Sequence, residues 1–253
     1  MLQVARLAPN LLQEATDSVA EFFLSQFNKD GGAADRSGQS DLYYTVFAIE
    51  GLIALQRESP SHVHLFLESF EDGQDLDLVH LCCLARCWTA LKKTAPPALA
   101  GKINDRWDRH SIYQSFLAWG ALQDLGCQPK PFPLRDGTFA DTTPTTAATV
   151  TLLRQMQAPV PEQAVQWLLA RAHPAGGFSA TKEVQIPDLL STATALHALS
   201  GQHVPLAHLK EKTLDFLDTL WTGRAFCGNW SDDKSDCEYT YYALLTMGHL
   251  SLA

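Results

Sequence analysis

The sequence has almost no runs in which β-branched or aromatic residues alternate with polar ones, which excludes an extended sheet as its main architecture. No apolar stretch reaches transmembrane length, and the opening MLQVARLAPN lacks the continuous apolar segment of a secretory signal. Basic residues are scarce, 19 against 28 acidic ones, for a formal charge of −9. Binding a polyanion needs a basic footprint, so the expected partners include no nucleic acid, and adhesion to anionic membrane is disfavoured. The six cysteines (Cys82, Cys83, Cys87, Cys127, Cys227 and Cys237) contain no C-x-x-C pair and no regular disulfide spacing. With no export signal, reduced thiols and a cytoplasmic setting are expected. No Gly/Ser-rich linker or charge block divides the 253 residues, so residues 1–253 are expected to form one domain.

What is present is helical spacing of two kinds. The segments 11–27, 61–70, 162–172 and 206–221 carry one apolar stripe and a polar remainder, as helices do that cover a core and meet water. The segments 41–55, 77–91, 142–156, 188–199 and 236–250 are apolar or small on nearly every face, so protein must surround them. Segment 110–126 fits either kind. Alternation of half-wet and enclosed helices predicts an all-α fold in two concentric layers, built from five or six helical hairpins at a repeat of roughly 33–48 residues.

The enclosed helices mostly open with Asp, Ser or Thr, residues whose side-chain oxygens satisfy free backbone N–H groups. Glycine turns precede them: Gly31-Gly32, Asp136-Gly137-Thr138-Phe139, Gly176-Gly177-Phe178 and Gly228-Asn229-Trp230.

Gly176-Gly177-Phe178 followed by Asp188-Leu-Leu-Ser-Thr-Ala-Thr-Ala-Leu-His-Ala-Leu resembles the repeat unit of protein prenyltransferase β-subunits and of squalene and hopene cyclases. Cys227-Gly228-Asn229-Trp230 with Asp236-Cys-Glu-Tyr-Thr-Tyr-Tyr repeats it, and Asp41-Leu-Tyr-Tyr-Thr opens the chain in the same style. The resemblance implies an α/α toroid whose inner helices line a funnel for a prenyl or terpenoid substrate. Tyr43, Tyr44, Phe47, Trp88, Tyr113, Phe116, Trp119, Tyr239 and Tyr242 could supply an aromatic wall.

Three functions follow from the resemblance. A prenyltransferase-like, isoprenoid-handling enzyme is the leading one, but the zinc pattern of those enzymes is missing: Pro187 and Leu189 stand at the Asp and Cys places and Tyr239 near the His place. Thr181 and Val184 replace expected basic residues, with Lys182 close by. No zinc is therefore expected at the family site, no cofactor is assigned, and magnesium is left open. His110-x-x-Tyr113 is similar to a diphosphate-contacting pair, and Arg106 and Arg109 could complete an anion site with it. A class II cyclase is the second reading: Asp77 of Asp75-Leu-Asp77-Leu matches the proton donor of Asp-x-Asp-Asp, with Asp75 or Asp72 raising its pKa. The third is a non-catalytic toroid that binds a lipid or a protein, and a helical partner subunit is possible. Asp236-Cys237 with His80 or His249 offers no second ligand pair for a metal. The substrate-binding set is Asp41, Tyr44, His80, His110, Tyr113, Arg109, Asp188, Thr192, Asp236 and Tyr239, gathered for the most part at inner-helix starts around one rim.

Overall fold

The computed structural model of the chain describes residues 1–134 and 141–253. In chain order its helices are α1 (Leu2–Ala5), α2 (Pro9–Leu12), α3 (Ala15–Ser25), α4 (Leu42–Ala54), α5 (Val63–Glu68), α6 (Leu78–Ala90), α7 (Leu99–Arg106), α8 (Ile112–Asp124), α9 (Thr143–Gln155), α10 (Glu162–Leu169), α11 (Leu189–Gly201), α12 (Ala207–Leu220) and α13 (Cys237–Leu250). Two-residue strands β1 (Ala33–Ala34), β2 (Ser40–Asp41), β3 (Phe178–Ser179) and β4 (Pro187–Asp188) accompany them.

The fold is an all-α, α/α toroid. Helices α4, α6, α8, α9, α11 and α13 neighbour one another in that order, and α13 returns to α4, so the inner layer is a closed ring. Helices α3, α5, α7, α10 and α12 pack outside it. The inner helices are those with no wet face: α4 buries Leu42, Val46, Phe47, Ile49 and Leu52, which point all round its axis. Segment 110–126 contains the inner helix α8. The turn 136–139 lies outside the described residues.

Capping separates the layers. Each inner helix begins with a side-chain cap: Asp41, Asp77, Ser111, Thr142, Asp188 and Asp236 accept from backbone N–H groups two or three residues on. None of the five outer helices has such a bond. The inner ends converge at one mouth of the ring, where a carboxylate or hydroxyl satisfies their free N–H groups, worth about 1 kcal/mol each.

A threonine four residues after the cap fastens three of the hairpin turns. Thr192 donates its hydroxyl to the Asp188 carbonyl (2.6 Å) and accepts from Phe178 N–H (2.9 Å). Thr45 does the same for Asp41 and Ala33, and Thr240 accepts from Phe226 N–H. The turn that Thr192 fastens also needs its glycines: Gly176 and Gly177 have φ of 98° and 70°, and a side chain on Gly176 would strike the Lys212 carbonyl. Short antiparallel ribbons complete the units, β1 with β2 and β3 with β4. The ribbons were not legible as strands because each is two residues long.

The outer helices α5 and α10 are shorter than their apolar stripes suggest. The helix expected over 11–27 is broken at Gln13, whose φ is 50°. Residues 1–12 lie against α13 and α4 while α3 runs along α4, and one straight helix could not do both. Gly248 makes this packing possible, because the Val4 carbonyl occupies the place a Cβ would take.

The ring closes by contacts between residues some 200 apart. Arg36 donates from Nε to Asp236 Oδ2 (2.7 Å) and from both terminal nitrogens to Asp232 (2.7 and 3.0 Å). At the other mouth, His197 Nδ1 and His249 Nε2 are 3.1 Å apart, joining α11 to α13. Burial lowers both imidazoles, His197 to about 2 and His249 to about 4. All six cysteines are free.

Two outcomes are expected. Arg36→Ala leaves Asp236 buried and unpaired and lowers stability by about 1–2 kcal/mol in denaturant titrations, a modest figure because Arg36 is partly exposed; adding Asp236→Asn recovers part of the loss. The histidine pair makes the fold acid-sensitive. The unfolded chain takes up protons near 6.5 and the folded chain only near 4 and below, so stability is full above pH 6.5 and falls as pH drops toward 4, by on the order of 3 kcal/mol for each histidine. Thermal unfolding of His249→Asn across that window checks this, since the variant's pH slope is expected to be shallower.

Candidate functional site

The first mouth of the ring gathers most of the residues expected at a rim. The His80 imidazole stands between Asp77 Oδ1 (2.9 Å) and Asp41 Oδ2 (3.4 Å). Burial opposes its protonation, but the two carboxylates outweigh burial and raise its pKa. Tyr44 lies beside Asp41, and burial pushes its phenol up to about 12. Across the mouth, burial raises Asp236 against the pull of Arg36, whose guanidinium lies 5.4 Å from the centre of the Tyr239 ring. Tyr239 is likewise pushed to about 12 by burial. Asp188 joins them, raised by burial although Ser191 donates to both its oxygens at 2.7 Å.

Other expected residues have different surroundings. Thr192 is 0% exposed, and its hydroxyl is spent in the turn, so it presents nothing to a ligand. Asp77 has a side chain 64% exposed. Burial would raise its pKa, but the His80 backbone and ring bonds prevail and hold it below the ordinary carboxylate range. It is a capping carboxylate and lacks the environment of a proton donor at neutral pH. Asp75 is exposed, and Asp72 pairs with Lys102 at 2.7 Å, so neither raises Asp77.

The anion site is not assembled. Arg106 donates to the carbonyls of Gln74 and Leu76, Arg109 lies over the Trp107 ring at 4.4 Å, and His110 is exposed with only its backbone N–H bonded, to Asp108. Tyr113, 53% exposed, does face the mouth and is electrostatically coupled to Asp77 and Glu238. Of the aromatic wall, Trp88 and Trp119 are core residues, whereas Tyr43, Phe47 and Tyr242 interlock, with Phe47 5.0 Å from Tyr43 and 5.5 Å from Tyr242.

Glu238 was not singled out from the sequence. Tyr43 donates to its Oε1 at 2.6 Å across the ring closure, and burial pushes its carboxyl up to about 7. Its signal was faint, an acid two residues beyond a capping Asp.

The opposite mouth, where the inner helices end, holds a cavity of about 960 Å³. Ile53, Phe116 and Leu117 give it apolar surface, and Gly120 faces it with open space beyond. Glu50, Arg86 and His197 give it polar groups. Arg86 donates to Glu50 Oε1 and lies 3.6 Å from Asp124. Here the sequence did carry a signal: Glu50 in FAIEGLIAL and Arg86 in LCCLARCWTAL are lone charges inside enclosed helices. Such charges must find each other.

The zinc positions carry no donors. Pro187 is locked in the β4 ribbon, Leu189 is fully buried, and Tyr239 stands where a His would. Cys237 is buried, and burial raises its thiol pKa. His80 and His249 sit at opposite mouths. Among the described residues no group of three or more His, Cys, Asp or Glu side chains surrounds a common point. Pro187, Leu189 and Tyr239 supply neither a thiolate nor an imidazole at the positions where the resemblance places zinc ligands. No described helix is long and apolar enough to cross a membrane.

No individual curated protein matches the sequence. A family model does, the prenyltransferase alpha-alpha toroid domain, over residues 8–96 and 145–252. The matched segments contain the first two and last two inner helices, nearly all of α9, and the Asp-x-x-x-Thr units that cap and fasten α4, α11 and α13. With the closed double-layered ring, this match makes the chain a member of the prenyltransferase α–α toroid domain family.

Proposed function

We propose that the protein handles isoprenoids, holding a prenyl or terpenoid chain in the cavity at the end of the inner ring. The observation that carries the reading is that cavity: about 960 Å³, inside the range of small-molecule sites, with Phe116, Leu117 and Ile53 on its wall. Each methylene placed there gains on the order of 0.8 kcal/mol. Membership of the toroid family supports the same ligand class.

Thiol prenylation on a resident zinc is not part of the reading, since the donor positions are Pro187, Leu189 and Tyr239. Four of the chain's own thiols are poor nucleophiles: burial pushes Cys82 up to about 12 and raises Cys83, Cys87 and Cys237. A binding toroid therefore fits this site better than a transferase acting through activated sulfur.

One observation favours a second, catalytic reading at the other mouth. Glu238 holds a proton over part of the neutral range and sits among Tyr43, Tyr113 and Tyr242. An acid beside aromatic faces suits proton transfer to a terpenoid, and Glu238 takes the place first assigned to Asp77.

Two experiments test these readings. Gly120→Phe fills the cavity from a position with no neighbour within 4 Å, so the fold is retained. Binding of farnesyl and geranylgeranyl ligands, followed by tryptophan quenching, is expected to fall at least tenfold; undiminished binding would remove the cavity from the account. For the acid, infrared titration is expected to give Glu238 a midpoint near 7. Tyr43→Phe should move it upward, because the lost hydrogen bond favours the carboxylate. If squalene or geranylgeranyl diphosphate yields a product, Glu238→Gln should abolish it while Asp77→Asn leaves the product profile unchanged.

A further inference from the structure

Residues 1–12 begin on the axis of the ring, at the cavity end. Met1 lies within electrostatic reach of one side chain from every inner helix: Glu50 of α4, Arg86 of α6, Asp124 of α8, Arg154 of α9, His197 of α11 and His249 of α13. Only a group near the centre of a ring of six helices has all six as neighbours. Met1, Leu2, Gln3 and Arg6 also form part of the cavity wall. The segment therefore plugs this mouth, and a chain held in the cavity lies against it.

Few interactions hold the plug in place. Among the described residues, one hydrogen bond ties it to anything beyond Gln13, from the Ser251 hydroxyl to the Leu7 carbonyl (3.2 Å). Its backbone bonds are otherwise internal or reach only Gln13. Its buried side chains are Ala5, Ala8 and Leu12, and alanines bury little apolar surface. A segment with so few anchors belongs to the low-stability end of a fold, where local opening does not require global unfolding.

The joint behind the plug is strained. Gln13 has φ 50° and ψ −118°, a conformation that glycine tolerates and a residue with a side chain disfavours. Its side chain is exposed and makes no hydrogen bond among the described residues that would offset the strain. On the other side of the joint, the Gln13 carbonyl accepts from Thr16 Oγ1 (2.7 Å) at the start of α3. The strained residue thus separates a seated helix from a lightly held segment. Swinging the segment away lets Gln13 relax, which lowers the cost of opening.

From this we propose that residues 1–12 are a hinged plug, which swings about Gln13 to admit and release the ligand of the cavity and reseats beside it. The proposal rests on the isoprenoid reading above for the ligand and adds how the cavity opens.

The first arm of the test needs no ligand. Hydrogen exchange of the full chain, read by mass spectrometry, is expected to show residues 2–12 exchanging about tenfold or more faster than α13 beneath them. Gln13→Gly removes strain from the closed state and is expected to slow that exchange about fivefold, a modest figure because glycine also frees the open chain. Exchange of residues 2–12 in step with α13, or unslowed by Gln13→Gly, would overturn the plug. The second arm is stopped-flow tryptophan quenching with farnesol. In Gln13→Gly both association and dissociation are expected to slow about fivefold with Kd unchanged, because a plug gates both directions. A changed Kd with an unchanged association rate would overturn the gating. Farnesol failing to bind the wild-type chain would overturn the isoprenoid reading alone, and the exchange arm would still decide the plug.

Discussion

Closure of the inner ring is the constraint on which everything else depends. A helix such as α4 or α11, apolar on all faces, has no stable place in water unless other helices enclose it. Five neighbouring contacts could form a curved stack with two raw edges. The sixth, α13 against α4, removes the edges, and it is held by Arg36 with Asp232 and Asp236, by Tyr43 with Glu238, and by α1 wedged between the two helices at the far end. At these seams burial raises the pKa of Tyr43, Asp236 and Glu238, because closing the ring takes them out of water.

The architecture was legible because enclosure leaves a mark on composition. All-round apolarity separated inner from outer helices, and the repeated Asp-x-x-x-Thr with its glycine turn gave the period. The same motif misled the assignment of function. Asp188 and Thr192 look like convergent polar groups, yet their oxygens are consumed by the helix start and the turn they fasten. Capping and ligand binding draw on the same residue types, and only hydrogen-bond geometry separates them.

What stayed hidden depended on contacts across the ring. Nothing in the local sequence says that Tyr43 reaches Glu238, or that His197 meets His249. Glu50 and Arg86 were the exception in principle: a single charge in an enclosed helix is a statement that a partner exists, although its identity needs the fold. The two mouths consequently differ in character. One is rich in carboxylates and tyrosines that brace the helix starts; the other is roomier and lined by polar groups of both charge signs beside Ile53, Phe116 and Leu117.

The seat of α1 against Gly248 has a consequence for how the chain is made. Leu2, Val4, Ala5 and Ala8 leave the ribosome well before the surface they cover, which belongs to α13. Until α13 emerges that apolar segment lacks its seat, and the half-built ring shows two sticky edges. Such a nascent chain is a natural client for chaperones, and its final tightening must wait for α13.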